Sequence, residues 1–76
     1  MYHSLEFRLQ GLAALETPGS ARLEQVVIKP GTRLRAHVKP YVVESNLGPV
    51  EEADLFLEDG RVARGVRFAS FSFVEE

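Results

Sequence analysis

Hydrophobic and polar residues alternate with a period of two over most of the chain. Leu5, Phe7 and Leu9 fall on odd positions, and Gly11, Ala13 and Leu15 continue the phase, while Ser4, Glu6, Arg8 and Gln10 fill the even ones. The pattern predicts a strand with one buried face running through residue 15, with Gly11 as a bend or bulge within it. Leu12-Ala13-Ala14-Leu15-Glu16 also suits a single helical turn, since Ala and Leu favour helix. Thr17-Pro18-Gly19-Ser20 is turn chemistry, and Arg22 to Lys29 follows as a second strand carrying the β-branched run Val26-Val27-Ile28.

Pro30-Gly31 marks the next turn. The cleanest alternation comes after it, with Leu34, Ala36 and Val38 between Arg33, Arg35, His37 and Lys39. Pro40 is expected to end that strand or to place it on an edge. Tyr41-Val42-Val43 then reads as a short strand and Ser45-Asn46-Leu47-Gly48-Pro49 as a loop. Ala53, Leu55 and Leu57 alternate with Glu52, Asp54, Phe56 and Glu58 up to Asp59-Gly60. A two-residue hairpin at Asp59-Gly60 sets Glu58 opposite Arg61, Leu57 opposite Val62, Phe56 opposite Ala63 and Glu52 opposite Arg67. Val62, Val66 and Phe68 then share a face, with Phe71 and Phe73 in the opposite phase. One extra residue near Ala69-Ser70, a bulge, would bring them together.

Five to seven short strands with brief connections predict an all-β fold, a small and mostly antiparallel barrel or sandwich. With 76 residues there is room for one domain, and such a chain buries only about 60% of its unfolded surface. No cysteine is present, which excludes a disulfide scaffold, a thiolate metal site and a cysteine nucleophile. Support is therefore expected from barrel closure or from an oligomer. The apolar runs are too short for a membrane helix, and the first residues lack the basic and apolar regions of a signal peptide, so a cytoplasmic protein is expected. Asn and Gln total three, and Arg outnumbers Lys seven to two. Thermophilic origin and GC-rich codon usage would each give that bias.

Candidate chemistry is sparse. Arg33, Arg35 and Lys39 form a basic face on one strand, and residues 44 to 59 carry six acids and no base. A phosphate or single-strand nucleic-acid surface and cross-strand pairing with the acidic segment both fit this layout. The net charge of −2 and the lack of aromatics between the basic residues favour pairing, so nucleic acid is not the expected partner. No serine has a histidine and a carboxylate at recognisable spacing, and no catalytic residue or cofactor is assigned.

Residues 26–44 resemble the first half of the cupin metal motif. Gly31, His37 and Glu44 fall on matching positions, Lys39 occupies the second histidine position, and Glu51 stands where the closing glycine belongs. No histidine follows His37, so the second motif is absent. The resemblance implies a truncated jelly roll whose metal site is degenerate or empty, with His37 and Glu44 as residual ligands. Read from the residues alone, His37 is a solvent-facing side chain between two cations, and one ligand makes no metal site.

The aromatic residues point to self-association. Phe56 shares a face with acids, and Phe68, Phe71 and Phe73 lie on two faces of one terminal strand. Strands apolar on both faces need cover on both sides, which predicts a homo-oligomer, a dimer by preference, with Phe56, Phe68, Phe71 and Phe73 at its interface.

Overall fold

A computed structural model describes residues 1–75. Seven strands form one antiparallel sheet: β1 (His3–Phe7), β2 (Gly11–Glu16), β3 (Leu23–Ile28), β4 (Arg33–Ser45), β5 (Gly48–Leu57), β6 (Val62–Arg67) and β7 (Phe71–Phe73). A single 3₁₀ turn, Phe68–Ser70, precedes β7. The spatial order is β3-β2-β6-β5-β4-β1-β7. β1 lies next to one edge of the sheet and β2 next to the other, yet only three residues join them. Phe7 and Gly11 are therefore at most about 14 Å apart along the chain. A flat seven-stranded sheet cannot satisfy that link, so the sheet curls into a half-barrel. The short links from β3 to β4 and from β6 to β7 make the same crossing.

The concave face holds the core. Leu5, Phe7, Ala13, Ala36, Ala53, Leu55, Ala63, Val66 and Phe71 form one buried cluster. Leu15, Val26, Ile28, Leu34, Val38, Leu57 and Phe68 are partly buried against it. Small residues on the central strands let the large ones from β1, β5 and β7 fill the curl. Gly11 serves this packing and bends nothing: a Cβ there would lie 2.8 Å from Cε2 of the Phe7 ring.

The structure departs from the sequence reading at several points. The first strand breaks at Arg8–Gln10, where the chain crosses between the sheet's two ends, and the backbone N–H groups of Arg8 and Leu9 donate to the Ser70 carbonyl. Leu9 is consequently exposed. No helical turn replaces β2. Of the two outcomes expected for Pro40 the edge placement holds, while Tyr41-Val42-Val43 is no separate strand, and β4 runs thirteen residues through them. It does so because β1 pairs with β4 only as far as Ala36, leaving Pro40 on an open edge where a missing N–H costs nothing. The predicted loop at 45–49 shrinks to Asn46-Leu47, with Ser45 paired to Gly48.

The β5–β6 hairpin departs from the expected register as well. Leu57 N–H donates to Arg61 O, Gly60 N–H donates to Leu57 O, and Phe56 pairs with Val62. The loop is thus Glu58-Asp59-Gly60, one residue longer than predicted, with Gly60 at φ 95°. The predicted Glu52–Arg67 pairing nevertheless holds. A bulge at Arg64-Gly65, with Gly65 at φ 73°, inserts the residue that restores it. The same bulge separates Val62 from Val66, so Val62, itself buried, pairs with Phe56 outside the core cluster that Val66 joins. The phase change before Phe71 is made by the 3₁₀ turn. Gly60→Val should lower stability by about 1–3 kcal/mol, because φ is left-handed there and the new Cβ would sit 3.1 Å from Pro18 Cγ. Thermal unfolding measures the loss, and an unchanged midpoint would contradict the turn.

Candidate functional site

On the convex face, side chains of β4, β5, β6 and β2 form a polar row. The Asp54 carboxylate stands opposite the β6 bulge and accepts three hydrogen bonds. Tyr41 donates its hydroxyl hydrogen to Oδ1 at 2.9 Å, the freed Gly65 N–H donates to Oδ1 at 3.2 Å, and Arg64 donates to Oδ2 at 2.9 Å. Arg64 also reaches Glu16 Oε2 at 3.0 Å, joining β2 to the row. Burial, and then the hydrogen bond to Asp54, push the Tyr41 phenol above its usual 10.0. Arg64 is held still more firmly protonated, first by its hydrogen bond to Glu16. Arg64 bridges the two carboxylates of the row, Glu16 and Asp54, and Asp54 ties Tyr41 to the β6 bulge, so the row clamps four strands.

On the predicted basic face both arginines are paired with acids. Arg33 meets Glu6 at 3.5 Å across the β1–β4 ladder, and Arg35 meets Glu58 at 3.4 Å. Lys39 stands opposite Asp54 in the β4–β5 register. His37 and Glu44 share β4 but are seven positions apart, roughly 23 Å at strand spacing, and alternation turns them to opposite faces. Nδ1 of His37 lies 3.1 Å from the Met1 carbonyl oxygen, and its ring lies 6.2 Å from that of Phe56. Among the described residues no group of three His, Cys, Asp or Glu side chains is placed to hold a metal ion.

The four phenylalanines separate. Phe71, 6% exposed, lies in the core, 5.6 Å from the Phe7 ring, and Phe68 packs on it at 5.3 Å. Phe56 is half-buried beside His37. Phe73 alone is open, at 51%, on the short edge strand β7. Phe71 is therefore spent inside one chain and cannot face a partner.

Two surfaces that the sequence did not single out remain. One is β3, whose outer edge is unpaired over six residues. Beside that edge, on the convex face, Leu12 stands opposite Val27 and Leu23 follows, at 61%, 56% and 59% exposure. The other is the mouth of the half-barrel, a groove of about 390 Å³ at the end where β3 and β5 finish and β4 and β6 begin. Its floor is Leu15, Val26, Ile28, Leu34, Leu57 and Ala63, and Lys29 and Arg61 stand at its rim. Alternation identified those apolar residues as inward-facing, but it carries no information on which of them lie at an open end. No helix among the described residues is long and apolar enough to cross a membrane. No family model, curated protein or solved structure matches this chain.

Proposed function

We propose that this chain is a small, non-catalytic, cytoplasmic binding and assembly module that associates with a second copy of itself. The observation that carries the reading is the unguarded β3 edge with its adjoining apolar strip. Natural sheets blunt such edges with proline, inward charges or very short strands. β7, with three residues, is blunted by length; β3 has six residues, no proline, and Glu24 as its only charge. A two-fold axis at the centre of β3 would pair the strand with its own copy, combining the commonest oligomer symmetry with strand addition at an open edge. Leu12, Val27 and Leu23 would extend the contact on the convex face. Covering each contributes on the order of 1–2 kcal/mol, enough with the added ladder for a weak dimer.

The phenylalanine interface expected from the sequence is replaced by this strip, with Phe73 on the far edge left out of it. The ion-paired Arg33 and Arg35 of β4 favour protein association over nucleic acid, which a gel shift on mixed single strands at low salt would check. Leu12→Glu with Leu23→Glu should give a folded 8.5 kDa monomer, since both side chains already face solvent, while the parent chain sediments as a dimer. Sedimentation equilibrium at micromolar concentration decides: a monomeric parent, or a double variant that stays dimeric, removes the proposal.

A further inference from the structure

The mouth of the half-barrel is apolar inside and cationic at its rim. Leu15, Val26, Ile28, Leu34, Leu57 and Ala63 give it an apolar floor, and Thr32 is the one uncharged polar side chain in its lining. Sites of some 300–1,000 Å³ with an apolar lining and a few placed polar groups are the usual form of a small-ligand site. Charge at the rim decides which ligands fit. Arg61 is bound to Asp59, with Nε 2.6 Å from Oδ2, so that pair contributes no net charge. Lys29 lines the same opening and makes no ion pair among the described residues. The rim thus carries one uncompensated positive charge next to an apolar floor.

From this arrangement we infer that the mouth binds a linear aliphatic carboxylate, with its chain along Leu15, Ile28, Leu34 and Leu57 and its carboxylate at Lys29. Charge complementarity selects the anion, and the floor selects the alkyl body. A primary amine of equal length would place its ammonium against Lys29 and be repelled. A short dicarboxylate would strand its second charge on the leucines, where an unpaired charge is costly. The mouth shares β3, Val27 included, with the proposed dimer edge, but its floor lies on the concave side of the sheet, whereas Leu12 and Leu23 stand on the convex side and do not line it.

The test uses octanoate and octylamine with the whole chain, followed by heteronuclear NMR. Octanoate is expected to shift the signals of Val26, Ile28, Leu34, Leu57 and Ala63 saturably, with a dissociation constant on the order of a millimolar. Octylamine is expected to bind about tenfold more weakly, and Lys29→Glu, an exposed position, to weaken octanoate by about the same factor. The Leu12→Glu, Leu23→Glu variant should bind octanoate as the parent does, which separates this site from the dimer. Octanoate shifts that do not saturate, octylamine binding equal to octanoate binding, or a folded Lys29→Glu variant with parental affinity would each overturn the inference.

Discussion

Phe7→Ala should lower the stability of the chain by about 3–5 kcal/mol. Phe7 is fully buried, its ring lies 5.6 Å from that of Phe71, and it sits over the bare Cα of Gly11. Removing a buried aromatic side chain costs about 3–5 kcal/mol through lost transfer energy and the cavity left behind. A domain of 76 residues has a total stability of about 4–11 kcal/mol, so one substitution removes a third of it or all. The cavity has little chance to collapse. Its walls are Phe71, fixed by β1–β7 pairing, and Gly11, fixed by β2–β3 pairing. Circular dichroism and thermal unfolding would report the result, and a cooperative transition within a few degrees of the parent would contradict the core assignment. Gly11→Leu tests the same contact from the other side, because the added side chain would drive directly into the ring.

Asp54→Ala should cost about 2–3 kcal/mol, the larger part from leaving the Gly65 N–H and Arg64 without their acceptor. The side chain is mostly enclosed, at 15% exposure, so water replaces those bonds poorly. Asp54→Asn should cost less, because an amide oxygen still accepts from Tyr41 or Gly65. Both changes should also lower the Tyr41 titration toward the ordinary tyrosine value, since the hydrogen bond and the charge of Asp54 contribute to its rise. The sign of the pH effect follows from that rise. A phenol raised in the folded state adds stability that is fully present below pH 10 and is lost as pH climbs through the raised value. The parent should therefore lose stability at alkaline pH more steeply than Asp54→Asn. Ultraviolet titration of the phenolate and unfolding midpoints across that range measure both effects, and identical alkaline profiles for parent and variant would refute the link.

Strand identity was legible from alternation, because each half-barrel strand has one face in the core. Corners were not. The chain resumes after Arg8–Gln10 in the same odd phase it left, so Phe7 and Gly11 read as one strand although they belong to opposite ends of the sheet. The β5–β6 hairpin shows a second limit. Asp59-Gly60 suits a two-residue turn and also a three-residue loop with Gly60 in the left-handed region, and no residue type distinguishes them. The Glu52–Arg67 pairing was read correctly from an incorrect loop because Gly65 supplies a compensating residue. The mouth and the β3 edge were invisible for a related reason. Whether an apolar residue is enclosed or open depends on which strands become neighbours, and periodicity within a strand does not contain that.

The length of β4 has a kinetic consequence. Its first half lies between β1 and β5, but β1 ends its pairing at Ala36 and β6 ends its pairing with β5 at Glu52. From Val42 to Glu51 the chain is a two-stranded ribbon, tipped by the exposed Leu47, and no third strand among the described residues pairs with it on either side. Two strands alone are marginally stable in water. One continuous strand thus contains two opening free energies, and its amides should exchange with solvent deuterium in two classes. Those near Ala36 require global unfolding, while those beyond Tyr41 open by fraying from the tip. The Asn46-Leu47 tip is consequently the place where a protease should first cut the folded chain, and where a foreign peptide could be inserted with the least disturbance to the barrel.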